Sequence, residues 1–152
     1  MTPLPEYKGA DYRSAGKLEE KRALITGGDS GIGRAVAYFF ACEGADDAIV
    51  YLPAEEKDAM QIASEIRSLG RRSICIPGDV TDPAFCRAAV ERTVAELGGL
   101  DVLVNNAAFQ QHQEAVTDLS IEQWEKTVRP TSMHTFTWSR PQFRTCARGL
   151  RS

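Results

Sequence analysis

Three glycines, Gly27, Gly31 and Gly33, follow the apolar run Ala23-Leu24-Ile25-Thr26 and precede a stretch, residues 34–40, with helical periodicity. A strand, a turn nearly free of side chains and a helix start, in that order, aim backbone N–H groups and the positive helix end at one point. That arrangement binds phosphate. Two chemistries use it. A phosphate loop of the Walker type, for which Gly28 and Gly33 have the G-x-x-x-x-G spacing, requires Lys and then Ser or Thr. Arg34 and Ala35 stand there instead, so the magnesium ligand is missing. A dinucleotide turn requires close backbone approach to a pyrophosphate. It accounts for all three glycines, which a plain tight turn does not.

The elements that must position this loop alternate along the chain. Strands are expected over residues 23–26, 48–52, 73–76 and 101–105, each a short apolar run bounded by turn residues. Between them lie helical stripes: Ile32, Val36, Phe39 and Phe40; then Ala59, Ile62, Ala63, Ile66 and Leu69; then Cys86, Val90, Val94 and Leu97 behind the cap Asp82-Pro83. A further helix should start at Ile121, with Ser120 and Gln123 as a capping box and Leu119 with Trp124 as a staple. Strands apolar on both faces, alternating with helices, predict an α/β fold of Rossmann type. This is a doubly wound parallel sheet of strand order 3-2-1-4 with the glycine loop at the switch point. Residues 1–17 read as an extended arm, on the surface or disordered.

Composition narrows the partners. At 152 residues the chain suits one domain, and 43% apolar with 26% charged residues is ordinary for a globular protein. A net charge of −3 gives no reason to expect nucleic acid or an anionic membrane surface. No run reaches the length of a membrane span, and the first residues lack the order of a secretory signal. Four cysteines without metal-ligand spacing read as reduced thiols in a cytoplasmic protein. His112, His134, Trp124 and Trp138 have no partners at catalytic or ligand spacing and read as packing.

In the spacing T-G-x-x-x-G-x-G, filled here by Thr26, Gly27, Gly31, Ile32 and Gly33, the chain resembles the short-chain dehydrogenase/reductase family. Gly78-Asp79-Val80-Thr81, Gly98-Gly99-Leu100-Asp101 and Asn105-Asn106-Ala107-Ala108 match further family signatures in the family's order, over residues 18–128. The arm and the segment Tyr51-Leu52-Pro53-Ala54-Glu55-Glu56 are similar to the branch of glucose and alcohol dehydrogenases with N-terminal extensions. The resemblance implies an oxidoreductase that moves a hydride between a nicotinamide dinucleotide, NAD or NADP, and a small alcohol or carbonyl substrate, in a homo-oligomeric parent enzyme.

The same resemblance assigns cofactor contacts residue by residue. Gly27, Gly31, Ile32 and Gly33 meet the pyrophosphate, and Asp29 and Ser30 the adenosine ribose or a phosphate. Asp79 meets the adenine, Ala107 and Ala108 the riboses, and Val80 and Asn106 are further cofactor-binding positions. Asn105 is either a cofactor contact or a structural cap at the sheet's end. Ala108 replaces a family glycine, a departure that matters only if that residue needs a positive φ. Tyr51 stands where an NAD enzyme places its acidic ribose ligand. Asp29 tilts the choice toward NAD by repelling a 2′-phosphate.

The family's catalytic Ser and Tyr-x-x-x-Lys are not found: no Tyr follows Tyr51 and no Lys follows Lys126. Pro130 breaks the helix expected from Ile121. The codons behind Pro130 to His134, read one register over, permit Thr-Asn-Leu-His-Ala, which resembles the family's fourth helix with its catalytic Asn. Residues 129–152 are therefore expected to be a frameshifted tail. The remainder would be a cofactor-binding half that is inactive alone and prone to self-association along its fourth strand. The alternative is a non-catalytic nucleotide-binding or regulatory module.

Overall fold

A computed structural model of the chain describes residues 7–9, 11–108, 120–123 and 125. Four parallel strands, β1 (Arg22–Thr26), β2 (Asp46–Tyr51), β3 (Ser73–Pro77) and β4 (Val102–Asn105), form one sheet of order β3-β2-β1-β4. Three helices connect them: α1 (Gly31–Cys42), α2 (Glu56–Ser68) and α3 (Pro83–Leu97). This is the doubly wound order expected from the sequence, with the glycine loop between β1 and α1 at the switch point.

Every residue of β2 is buried. Its alternate side chains feed two cores, Ile49 and Tyr51 toward α1 and α2, and Ala48 and Val50 toward α3. A strand covered on both faces can be apolar throughout, which is why its sequence shows no alternation.

The helices sit differently from their large apolar residues. Helix α1 buries Gly33, Ala37 and Ala41, while Ile32 is 77% exposed and Val36 and Phe40 only flank the core. Helix α3 buries Cys86, Ala89, Thr93 and Leu97 and leaves Val94 exposed. On α2 the expected stripe holds from Ala59 to Ile66, but Leu69 lies past the helix end and is exposed. For α1 the physical reason is distance. A helix starting at a glycine loop is drawn close to the sheet, and only small side chains fit the interface.

The helix ends follow their chemistry. Asp82 accepts a hydrogen bond from the Ala84 N–H at 2.8 Å, Pro83 opens α3, and Gly98 closes it at φ 86°. Ser120 and Gln123 exchange the two bonds of the expected capping box, at 3.0 and 3.2 Å. The accompanying staple falls outside the described residues, as do the tail 129–152 and Cys146.

The arm is docked. The Glu43 carboxylate at the end of α1 accepts bonds from the Tyr12 hydroxyl and from the backbone N–H groups of Ala15 and Lys17. Tyr12 stacks edge-on against Phe39 at 4.6 Å. Tyr7 donates to Glu65 on α2 at 2.6 Å. Burial, aided by that carboxylate, pushes its hydroxyl up to about 12, so it remains a donor at any ordinary pH.

Candidate functional site

At the C-terminal rim of the sheet, a cleft of about 700 Å³ opens between the glycine loop, the end of β2, the β3–α3 turn and the segment after β4. One wall is Gly27, Asp29, Ser30, Gly31 and Ile32, and a second is Tyr51, Asp79 and Val80. A third is Asn106, Ala107 and Ala108. All these residues were singled out from the sequence. Of those expected, Gly33 and Asn105 stand outside the wall.

Gly33 has a different task. A Cβ there would run into the carbonyl oxygen of Gly27, so the absent side chain lets the helix start sit on its own loop. Gly31 faces open space at φ 52°, where a side chain would be strained by the backbone conformation. Asn105 is exposed at the end of β4. The strand-end tie is made by its neighbour, because the Asn106 amide donates to the Gly27 carbonyl at 3.1 Å. Ala108 is not at positive φ, so its methyl carries no backbone strain.

Thr26 supplies a link the sequence reading did not assign. Fully buried, it accepts from the N–H groups of Asn106 and Ala107, both at 3.0 Å, and donates to the Val104 carbonyl at 3.3 Å. The available signal was a hydroxyl at the end of a buried strand, which must find partners.

The anion-binding geometry lies in α1. Its N-cap residue, Ser30, is extended, makes no side-chain cap bond, and no acidic residue occupies the first turn. The first N–H groups of a helix have no intrahelical acceptor, so these amides and the positive helix end face the cleft unquenched. Such a helix start is a geometry suited to an anion.

Asp29 is 1% exposed, and neither carboxylate oxygen has a hydrogen-bond partner among the described residues. Burial without partners is costly unless a ligand hydroxyl donates to the group. Glu55 closes the same part of the cleft with Leu52. Partial burial first, and then the Asp29 carboxylate, pushes Glu55 above the usual carboxylate range. Neither Leu52 nor Glu55 was expected. The 3₁₀ turn Pro53–Glu55, with Leu52 as its N-cap, brings both to the rim. Asp79 spends one oxygen on the Thr81 N–H at 2.8 Å and stays exposed at the mouth. Among the described residues no Lys or Arg lines the cleft, and no cluster of metal-ligating side chains occurs.

Comparison with known proteins gives the same picture. A family model for the short chain dehydrogenases matches residues 21–145. The chain is 50% identical to general stress protein 39 of Bacillus subtilis over 129 residues, 85% of this chain and 45% of that protein. It is 40% identical to the glucose and ribitol dehydrogenase of Daucus carota over 134 residues, again 85% of this chain and 46% of that one. A crystal structure of a short chain dehydrogenase from Burkholderia cenocepacia in complex with NADP superposes with a TM-score of 0.77 at 38% identity. The match covers 84% of this chain and 51% of that one. The chain thus spans about half the length of the relatives it matches. Loop, cleft, topology and relatives agree: the chain belongs to the short chain dehydrogenase family.

Proposed function

We propose that this chain is the dinucleotide-binding half of an oxidoreductase that exchanges a hydride between nicotinamide and an alcohol or carbonyl carbon, and that it prefers NAD. The observation that carries this reading is the uncapped first turn of α1 beside a buried, unpartnered Asp29. The residues fit the group. The cradle amides take the pyrophosphate, Asp29 accepts from adenosine ribose hydroxyls, and Asn106 to Ala108 lie along the opposite wall. When bound, the dinucleotide supplies the hydride chemistry. The chain's own part is to bind and orient it.

The lean to NAD rests on charge. A 2′-phosphate entering beside Asp29 and Glu55 would meet two carboxylates and no lining cation. The Burkholderia relative is in complex with NADP, so preference within the family has to be measured on this chain. The 152 residues contain no Tyr after Tyr51 and no Lys after Lys126, so we read the chain as binding without turnover on its own. We further read residues 129–152 as a frameshifted tail, which sequencing the gene tests. A missing Tyr-x-x-x-Lys in the shifted frame rejects it. Free, half-buried or buried Cys42, Cys75 and Cys86 support a reducing, cytoplasmic setting. No helix among the described residues is long and apolar enough to cross a membrane. The half-buried Val102, Leu103 and Val104 are the surface through which we expect the chain to self-associate.

Titration of the full chain with NADH and NADPH, followed by nicotinamide fluorescence, tests the reading. Saturable NADH binding with weaker NADPH binding supports it, and no binding of either overturns it. Turnover of alcohols or aldehydes by the chain alone would overturn the claim of inactivity.

A further inference from the structure

Arg34, the fourth residue of α1, is electrostatically out of place, since a cation near a helix N-terminus opposes the helix dipole. Its contacts account for its position. The side chain is only 13% exposed and reaches across to α2, where Nη2 donates to the Asp58 carbonyl at 3.1 Å and lies 3.8 Å from the Asp58 carboxylate. The guanidinium carbon sits 5.3 Å from the centre of the Tyr7 ring. Tyr7 is fixed in turn by its bond to Glu65 and by edge-on packing against Tyr38, with centroids 5.8 Å apart. Lys8 adds an ion pair to Glu65 at 3.0 Å.

The two segments that Arg34 bridges are the two that flank the cleft. Helix α1 begins with the cradle residues Gly31 and Ile32, and α2 follows directly on the 3₁₀ turn that carries Glu55. The bridge lies one turn behind each. Its guanidinium is roofed by an arm residue that lines no part of the cleft.

We propose that Arg34, held under Tyr7 of the N-terminal arm, is a positioning residue that sets the spacing between the cradle and the Glu55 turn, so that the arm strengthens dinucleotide binding without touching the ligand. This rests on the dinucleotide reading above. A fixed spacing means that the ligand does not itself have to order the two walls, and pre-ordering raises affinity. Arg34 also places positive charge behind the cradle, so removing it confounds position with charge. Removing the Tyr7 ring separates them, because the charge stays.

The test is NADH titration of the full 152-residue chain and its variants. Tyr7→Ala and Arg34→Met should each weaken NADH binding by roughly fivefold. Tyr7→Phe, which keeps the ring over the guanidinium and loses only the Glu65 bond, should restore binding. The double variant Tyr7→Ala/Arg34→Met should be no weaker than Arg34→Met alone, since the two act through one contact. Asp101→Ala, which breaks the Arg22 pair at the far end of the sheet, serves as a purely structural control that lowers the melting temperature without moving the dissociation constant. Without ligand, Tyr7→Ala should speed amide exchange at the starts of both α1 and α2.

Wild-type affinity in Tyr7→Ala, or a loss in Tyr7→Ala that Tyr7→Phe does not recover, overturns the proposal. So does an affinity loss in Asp101→Ala as large as that in Tyr7→Ala. If the parent chain binds no NADH, the dinucleotide reading fails. Unchanged exchange in Tyr7→Ala would then show separately that the arm does not order the cleft.

Discussion

The two ends of the sheet treat their carboxylates in opposite ways. At the N-terminal end of the strands, Asp101 is gripped by the Arg22 guanidinium and backbone N–H at 2.7 to 3.1 Å. Asp46 is held by Arg71 and Arg72 at 2.9 and 2.8 Å. Burial works to raise Asp46, but the Arg72 backbone N–H and the two guanidiniums outweigh it and hold the carboxyl below its ordinary value. At the C-terminal rim, Asp29 is buried with no hydrogen-bond partner among the described residues, and Glu55 is pushed up beside it. The first end is finished structure. At the second, a buried carboxylate is left without a donor among the described residues.

Helix starts repeat the contrast. Asp82 caps α3, whereas Ser30 leaves α1 open. One exception blurs the comparison. Among the described residues, Asp47, fully buried at the finished end, has no hydrogen-bond partner for either oxygen, and Ser73 and Arg71 beside it also hold unpartnered atoms. Burial, with the neighbouring Asp46 adding to it against Arg71, raises its carboxyl well above the ordinary value.

The largest test strikes the loop itself. Gly33→Ala drives a methyl into the Gly27 carbonyl and should cost about 3 kcal/mol with loss of NADH affinity, read by urea unfolding and titration. A variant as stable as the parent would mean that the helix start tolerates distance from its loop.

Asp47→Asn probes the exception. A carboxyl whose folded pKa is raised stabilises the fold only while protonated, and that contribution fades as pH rises from the ordinary carboxylate range toward the folded value. The asparagine variant should therefore melt above the parent at neutral pH, by a margin that grows with pH and closes in acid. Thermal melts across pH 4 to 9 check it, and a margin independent of pH would refute the buried-acid account.

At the rim, Asp29→Asn removes charge but not shape. It should raise NADPH affinity about tenfold relative to NADH. An unchanged ratio would show that Asp29 does not face the 2′ position.

Helix caps give the smallest effects. Asp82→Ala should cost about 1 kcal/mol, and Ser30→Ala no more than about 0.5 kcal/mol, because Ser30 makes no cap bond to lose. Equal losses in urea unfolding would erase the distinction between a closed and an open helix start.

Much of this was legible because it is local. Glycines, caps and apolar runs act over a few residues, so the elements and the loop could be read from residues 23–108, while the other cleft-lining residues, Asp79, Val80 and Asn106 to Ala108, came from the family resemblance. What escaped depends on contacts distant in sequence. Glu55 enters the cleft only because a 3₁₀ turn brings it to the rim. Val94 turns outward because α3 packs through its small face. Two adjacent aspartates, Asp46 and Asp47, lie outside the strand expected over residues 48–52 yet begin a strand covered on both faces.

The sequence by itself determined that a glycine-rich turn joins a buried strand to a helix, and that strands and helices alternate as a doubly wound sheet requires, since backbone propensity and apolar period need no partner to act. Only the tertiary structure decided which carboxylates are paired and which are left open. It also decided how the arm reaches Arg34. Desolvation and charge pairing depend on neighbours up to 79 residues apart along the chain, and those neighbours exist only once the sheet has formed.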